Sequence, residues 1–174
     1  MSVKDLYNQI NQTAADFPQG SLFELIEKQC QSSPNNIAVL WEDKTQTYSE
    51  LSEKSNQLAN HLRRKGIGQG DLVGLCSDRD IDLPALLLGI MKSGAGYVPL
   101  DPDYPVDRLV YMVENSEVKH IVGHSTQLSL IDQFNTPATI VDRDWDEVAN
   151  AGSEDPRVKP VSYTHLTLPT ICSV

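Results

Sequence analysis

Four short apolar runs, Asp71–Cys76, Tyr97–Leu100, Val118–Val122 and Ala138–Val141, are separated from one another by stretches that carry helical spacing. Asp71–Cys76 follows a Gly-rich turn and reads as a buried strand, Tyr97–Leu100 as a brief extended piece, and the other two runs as strands. Strands that alternate with helices in units of this length pair in parallel through crossovers, because only a helix-length connection brings the chain back to the same end of the sheet. The expected fold class is therefore α/β, a mostly parallel sheet with covering helices.

The connections support this reading. Ile81–Lys92 forms a helix capped by Asp80 and closed by Gly94, and its middle, Leu86–Met91, is apolar nearly all round, so neighbours must cover it on most sides. Pro84 falls in or just beyond its first turn, where proline is tolerated. Asp101-Pro-Asp-Tyr-Pro105 forces turns, and Pro105 opens a helix carrying Leu109, Met112 and Val113. A short helix is expected over Leu128–Phe134. The acid-rich segment Asp142–Asp155 reads as a surface loop, and Pro156–Pro160 as a connector.

Upstream, Ser21-Leu-Phe-Glu24 and Thr47-Tyr-Ser-Glu50 each have the spacing in which two side chains reciprocally cap a helix start. The first opens a helix with Leu22, Leu25, Ile26 and Cys30 on its apolar positions, stopped by Pro34. The second opens an amphipathic helix whose stripe is Leu51, Leu58, Ala59 and Leu62 and which ends at Lys65-Gly66. Between them, Ile37–Trp41 and Thr45–Tyr48 read as a β-hairpin turning at Glu42-Asp43-Lys44. His61 is expected on the solvated face of the second helix.

Charge and length narrow the function classes. The 174 residues hold 14 Lys and Arg against 24 Asp and Glu, a net charge of −10, which argues against nucleic acid as a partner. The longest apolar stretch, Leu83–Met91, falls far short of the ~20 residues of a membrane span. The first seventeen residues lack the basic start and apolar middle of a signal peptide, so no membrane and a cytoplasmic location are expected. Cys30, Cys76 and Cys172 are too few and too widely spaced for a disulfide framework and are expected as buried thiols.

No autonomous catalytic signature is present: no phosphate loop of the G-x-x-x-x-G-K-[ST] form, no G-x-G-x-x-G, no G-x-S-x-G and no H-E-x-x-H. His120 and His124 are four apart, but Ile121 stands where the zinc motif has glutamate, and the segment reads as a strand. Asp101, Asp103 and Asp107 lack the glycine and glutamate of a calcium loop, having Val106 and Met112 instead. Turn and cap duties account for them better. Gly94-Ala-Gly96 follows a helix rather than preceding one, which suits helix termination.

Two stretches taken together are more specific. Thr47-Tyr-Ser-Glu-Leu51 and Met91-Lys-Ser-Gly-Ala-Gly-Tyr-Val-Pro-Leu-Asp-Pro-Asp-Tyr-Pro105, continued by Asp107-Arg-Leu-Val-Tyr-Met112, resemble the first two core motifs of adenylation domains in nonribosomal peptide synthetases. The leader Asn11–Pro18 is similar to the linker that precedes such domains. Departures are small: Gln46 replaces a usual leucine, Ser93 stands where alanine is common, and Pro84 is unusual within its helix.

The resemblance implies the N-terminal part of the large subdomain of an adenylate-forming enzyme, with an N-terminal β-hairpin. It divides the chain into a leader or interdomain linker at 1–20, a partial subdomain at 21–160 and a tail at 161–174. It implies an amino-acid-activating ligase that uses ATP and Mg and passes the acyl group to phosphopantetheine on a carrier domain. A related acyl-CoA synthetase-type ligase is the alternative; the Tyr97–Pro105 stretch favours the peptide-synthetase branch.

In the family a Gly-rich, lysine-bearing loop follows the point of Lys159-Pro160. Here no glycine follows Gly152 and no lysine follows Lys159, and the hydroxyls of Ser162, Thr164, Thr167 and Thr170 do not replace them. The tail, with His165 and Cys172, departs abruptly from the family pattern and reads as translated adapter sequence; its Thr and β-branched content leaves a genuine divergent strand as the alternative. The expectation is a catalytically incomplete fragment with no catalytic, cofactor-binding or metal residues of its own, whose partners are the remainder of the adenylation domain and a carrier domain.

Overall fold

The structure is a computed structural model that describes residues 3–11, 13, 15–16 and 20–158. The expectations for the tail 161–174, with Cys172 and His165, lie outside the described residues.

Helix α1 (Val3–Ile10) is followed by α2 (Leu22–Ser32), the hairpin strands β1 (Ile37–Trp41) and β2 (Lys44–Thr47), and the long helix α3 (Tyr48–Arg64). Both capping boxes form as their spacing demands. The Ser21 hydroxyl accepts from the Glu24 amide while Glu24 accepts from the Ser21 amide at 2.7 Å. Thr47 and Glu50 repeat the pattern at 3.3 and 2.8 Å. The hairpin turns with Glu42 at φ 52°, and β1 pairs antiparallel with β2.

The alternating part follows: β3 (Leu72–Cys76), α4 (Leu83–Ser93), β4 (Gly96–Pro99), α5 (Val106–Asn115) and β5 (His120–Gly123). A short helical passage, with α6 (Leu128–Ile131) between two 3-10 turns, leads to β6 (Ala138–Ile140) and α7 (Val141–Ala149). The four strands β3 to β6 are all parallel, in the order β4-β3-β5-β6. This is the α/β architecture the alternation predicts.

Helix α4 begins at Leu83, two residues later than expected, with Asp82 at the N-cap position and Asp80 supplying the capping carboxylate. The Asp80 carboxylate accepts from the Asp82 and Leu83 amides at 3.0 and 2.9 Å. Gly94 ends the helix at φ 97°, a conformation costly for any side chain. The cover that α4 requires comes largely from α3: Leu58, Leu62, Leu86, Ile90, Val73 and Val122 share one buried cluster. Large apolar side chains that remain open lie elsewhere, with Leu40 69% and Ile37 60% exposed on the hairpin.

Two expectations are corrected. Asp142–Asp155 is not a surface loop: Val141–Ala149 is helical, with Val141 and Val148 buried and Trp145 packed against the same cluster. The acids masked an apolar stripe at positions 141, 145 and 148. The segment after the helix is then tied to α3, where Asn56 donates to the Ser153 carbonyl, Asn60 to those of Gly152 and Glu154, and the Arg64 guanidinium to those of Asn150 and Ala151. Nor is His61 solvated: it is 3% exposed, with Nε2 3.1 Å from Thr139 Oγ1 on β6 and Nδ1 3.8 Å from Glu147 on α7.

Candidate functional site

In a parallel sheet, ligands bind outside the carboxyl ends of the strands, where consecutive connections leave in opposite directions. Here β3 lies between β4 and β5, so the chain passes from β3 to β4 on one side and returns across to β5 on the other. Everything after the last residues of β3, β4 and β5 converges on that end.

Beyond β3 and β4 is a cavity of about 680 Å³, lined by the apolar Leu75, Leu83, Leu87 and Tyr97 and by the polar Ser77, Asp78, Arg79, Asp101 and Asp103. Asp101 and Asp103 serve the turn expected of them: Asp101 Oδ1 accepts from the Asp103 amide at 3.1 Å. The Asp78 carboxylate accepts from Thr126 Oγ1 at 3.1 Å and Gln127 Nε2 at 3.0 Å. Three carboxylates thus face one guanidinium. Such a wall repels a polyphosphate, and the start of α4 is already satisfied by Asp80, so these residues do not fit a nucleotide triphosphate.

Between the ends of β3 and β5 is a second group. Ser77, directly after β3, has Oγ 2.9 Å from His124 Nδ1, and His124, directly after β5, has Nε2 3.2 Å from Asp80 Oδ2. Asp82 completes the group and pairs with Lys54 at 2.5 Å. Sequence reasoning missed this group entirely, since Ser77 and Asp80 are separated from His124 by two complete crossovers. His120 does not join His124. It points inward, its Nε2 2.8 Å from Thr139 Oγ1, so one hydroxyl serves both His61 and His120. Burial is the main cause that pushes the His120 imidazole down to about 4.

The remaining motif residues are structural. Lys92 is buried, and its Nζ donates to Glu27 at 2.6 Å, Ser55 at 3.0 Å and Asn56 at 2.8 Å, joining α4 to α2 and α3. Ser93 Oγ donates to the Ile90 carbonyl at 2.7 Å and accepts from the Ala95 amide at 3.3 Å, tying off the helix end. Cys30 and Cys76 are buried free thiols, and burial raises the Cys76 thiol to about 11, well away from reactivity.

Comparison with known proteins agrees with these features. The family model described as AMP-binding enzyme matches residues 26–168. Tyrocidine synthase 2 of Brevibacillus parabrevis is 44% identical over 131 residues, 75% of this chain and 4% of the relative. Bacitracin synthase 1 of Bacillus licheniformis is 41% identical over 121 residues, 69% of this chain and 2% of the relative. The chain therefore spans only a few per cent of the length of these curated relatives. The crystal structure of the nonribosomal peptide synthetase FmoA3 superimposes with a TM-score of 0.77 at 26% identity, covering 91% of this chain and 17% of that one. VinN shares the fold, with a TM-score of 0.74 at 22% identity over 83% of this chain and 41% of its own. With its two motif stretches folded into the α3 start and the α4–β4 corner of a parallel sheet, the chain belongs to the AMP-binding enzyme family and carries part of an adenylation domain of the nonribosomal peptide synthetase kind.

Proposed function

We propose that this chain forms one flank of the large subdomain in an amino-acid-activating ligase, and that it does not turn over ATP by itself. The reaction of the whole enzyme would join an amino acid to ATP, giving an aminoacyl adenylate and pyrophosphate. The acyl group would then pass to a phosphopantetheine thiol on a carrier domain. The rest of the adenylation domain and that carrier domain are the proposed partners, in the cytoplasm; no described helix is long and apolar enough to cross a membrane.

The observation that carries this reading is the cavity wall at the strand ends. Asp78, Asp101 and Asp103 oppose Arg79 alone, whereas charge moving onto phosphate oxygens needs donors and cations. FmoA3, which is similar, has AMPPNP-bound and α-methyl-L-serine-AMP-bound forms, which supports nucleotide chemistry for the complete domain. The described residues supply its scaffold: the Lys92–Glu27 pair, the two capping boxes and the α3–α4 packing. Residues 1–20 and 161–174 are proposed to lie outside that scaffold, as leader and as non-native tail.

The test is amino-acid-dependent exchange of labelled pyrophosphate into ATP with the purified 174-residue chain. No exchange above background is expected with any of the twenty amino acids. Robust exchange would overturn the proposal.

A further inference from the structure

The Ser77–His124–Asp80–Asp82 group has no part in the function proposed above. Ser77 Oγ lies 3.0 Å from the Asp78 carbonyl oxygen and 2.9 Å from His124 Nδ1, so its one hydrogen has two acceptors within reach. When the hydroxyl donates to the carbonyl, the contact with His124 takes its hydrogen from Nδ1 and leaves the Nε2 lone pair free. His124 Nε2 lies 3.2 Å from Asp80 Oδ2, and a cation between the two atoms would join them.

The spacing suits a metal ion. Two ligand atoms each ~2.1 Å from a metal, at angles between square and tetrahedral, stand roughly 3.0 to 3.4 Å apart. The imidazole of His124 and one carboxylate oxygen each of Asp80 and Asp82 lie within 4.8 Å of one another. The side chains are partly open, 12% for His124, 30% for Asp80 and 33% for Asp82, so an ion can enter and keep water on its outer face. With an ion on Nε2, the far ring nitrogen would donate to Ser77 Oγ at 2.9 Å, the arrangement that orients metal-bound histidines. Asp80 is held in turn by the two amides at the start of α4.

We propose that His124, Asp80 and Asp82 form a binding site for a late first-row divalent cation of the Zn2+ or Co2+ kind, with Ser77 as a positioning residue. One nitrogen and two oxygens favour such ions over Mg2+ or Ca2+, which prefer all-oxygen shells. Lys54 shares Asp82 with the ion or releases it; its Nζ already lies 5.9 Å from the Trp145 ring centroid. A nucleophilic Ser–His–Asp relay would use the same contacts with the hydroxyl donating to Nδ1, and the experiment separates the two.

The experiment uses the tag-free 174-residue chain, stripped with EDTA and titrated with Zn2+ by calorimetry and with Co2+ by visible absorption. One saturable site of roughly micromolar affinity is expected, with Co2+ bands of low-symmetry N/O coordination. His124→Gln and Asp80→Asn should each weaken binding by about tenfold or more, and Ser77→Ala by about tenfold. Asp142→Asn, which removes a nearby acid that offers no ligand here, should leave it unchanged. Circular dichroism of each stripped variant checks folding, and two independent ligand variants guard against one that unfolds. Absence of saturable binding would leave an imidazolium–carboxylate pair only and overturn the proposal. An equal loss in Asp142→Asn would reduce it to diffuse attraction by surface acids. Ser77-dependent, EDTA-resistant hydrolysis of a nitrophenyl ester would reassign the group as a nucleophilic relay.

Discussion

Gly89 of α4 lies directly against Leu58 of α3: a β-carbon at Gly89 would stand 2.9 Å from both Cβ and Cδ2 of Leu58 and 3.0 Å from the Ser55 carbonyl oxygen. Leu58 is fully buried and the Ser55 oxygen belongs to helical backbone, so neither has room to withdraw. The α3–α4 contact is as close as it is because one helix lacks a side chain at the crossing.

Gly89→Ala should therefore destabilise the chain although alanine is the better helix former. Overpacking of a tight core costs about 1–3 kcal/mol, against a gain of about 1 kcal/mol from helix propensity. A net loss of up to about 2 kcal/mol is expected in urea unfolding. A variant more stable than the parent would show that the helices separate without cost.

Gln46→Leu should do the reverse. Gln46 on β2 is 3% exposed, and neither its amide nitrogen nor its amide oxygen has a hydrogen-bond partner among the described residues. Glutamine here departs from the leucine usual in the family, and a buried, unsatisfied polar group costs about 1–3 kcal/mol. Replacing it with an apolar side chain of similar volume should raise the urea midpoint by a corresponding amount. An unchanged or lower midpoint would mean that the amide has a polar partner after all.

Stability should fall on mild acidification. Burial, with Lys65 and His61 nearby, pushes the His120 imidazole down from the ordinary 6.5 to about 4, and burial first, then Lys65, lowers that of His61. A folded value below the unfolded one means that the unfolded chain takes up the proton first. The stabilisation is fully present above about pH 6.5 and is lost as pH falls toward 4, reaching about 3 kcal/mol for His120 alone. Unfolding free energy measured from pH 7.5 to 4.5 should show this slope, and His120→Asn should flatten it. An equal slope in the variant would assign the acid sensitivity to other groups.

The elements legible from sequence are those whose signals lie within a few residues. Ser21 with Glu24, and Thr47 with Glu50, place two helix starts because the capping partners are three residues apart and need nothing from the rest of the fold. Gly94 ends α4 and Pro105 precedes α5 for equally local reasons. The acids of α7 concealed Val141, Trp145 and Val148, since a charged face is as compatible with an exposed helix as with a loop until α3 supplies something to pack against.

What the sequence determined alone, then, was the alternation of strand and helix, the hairpin and the family, all carried by short-range spacing. The tertiary structure decided which faces those elements turn inward. It buried His61 against β6 and α7 and put His124 beside Asp80 and Ser77. The reason is that strand order is set by burial summed over the whole sheet. Residues that meet across β3 and β5 are distant along the chain and carry no mark of each other until that order exists.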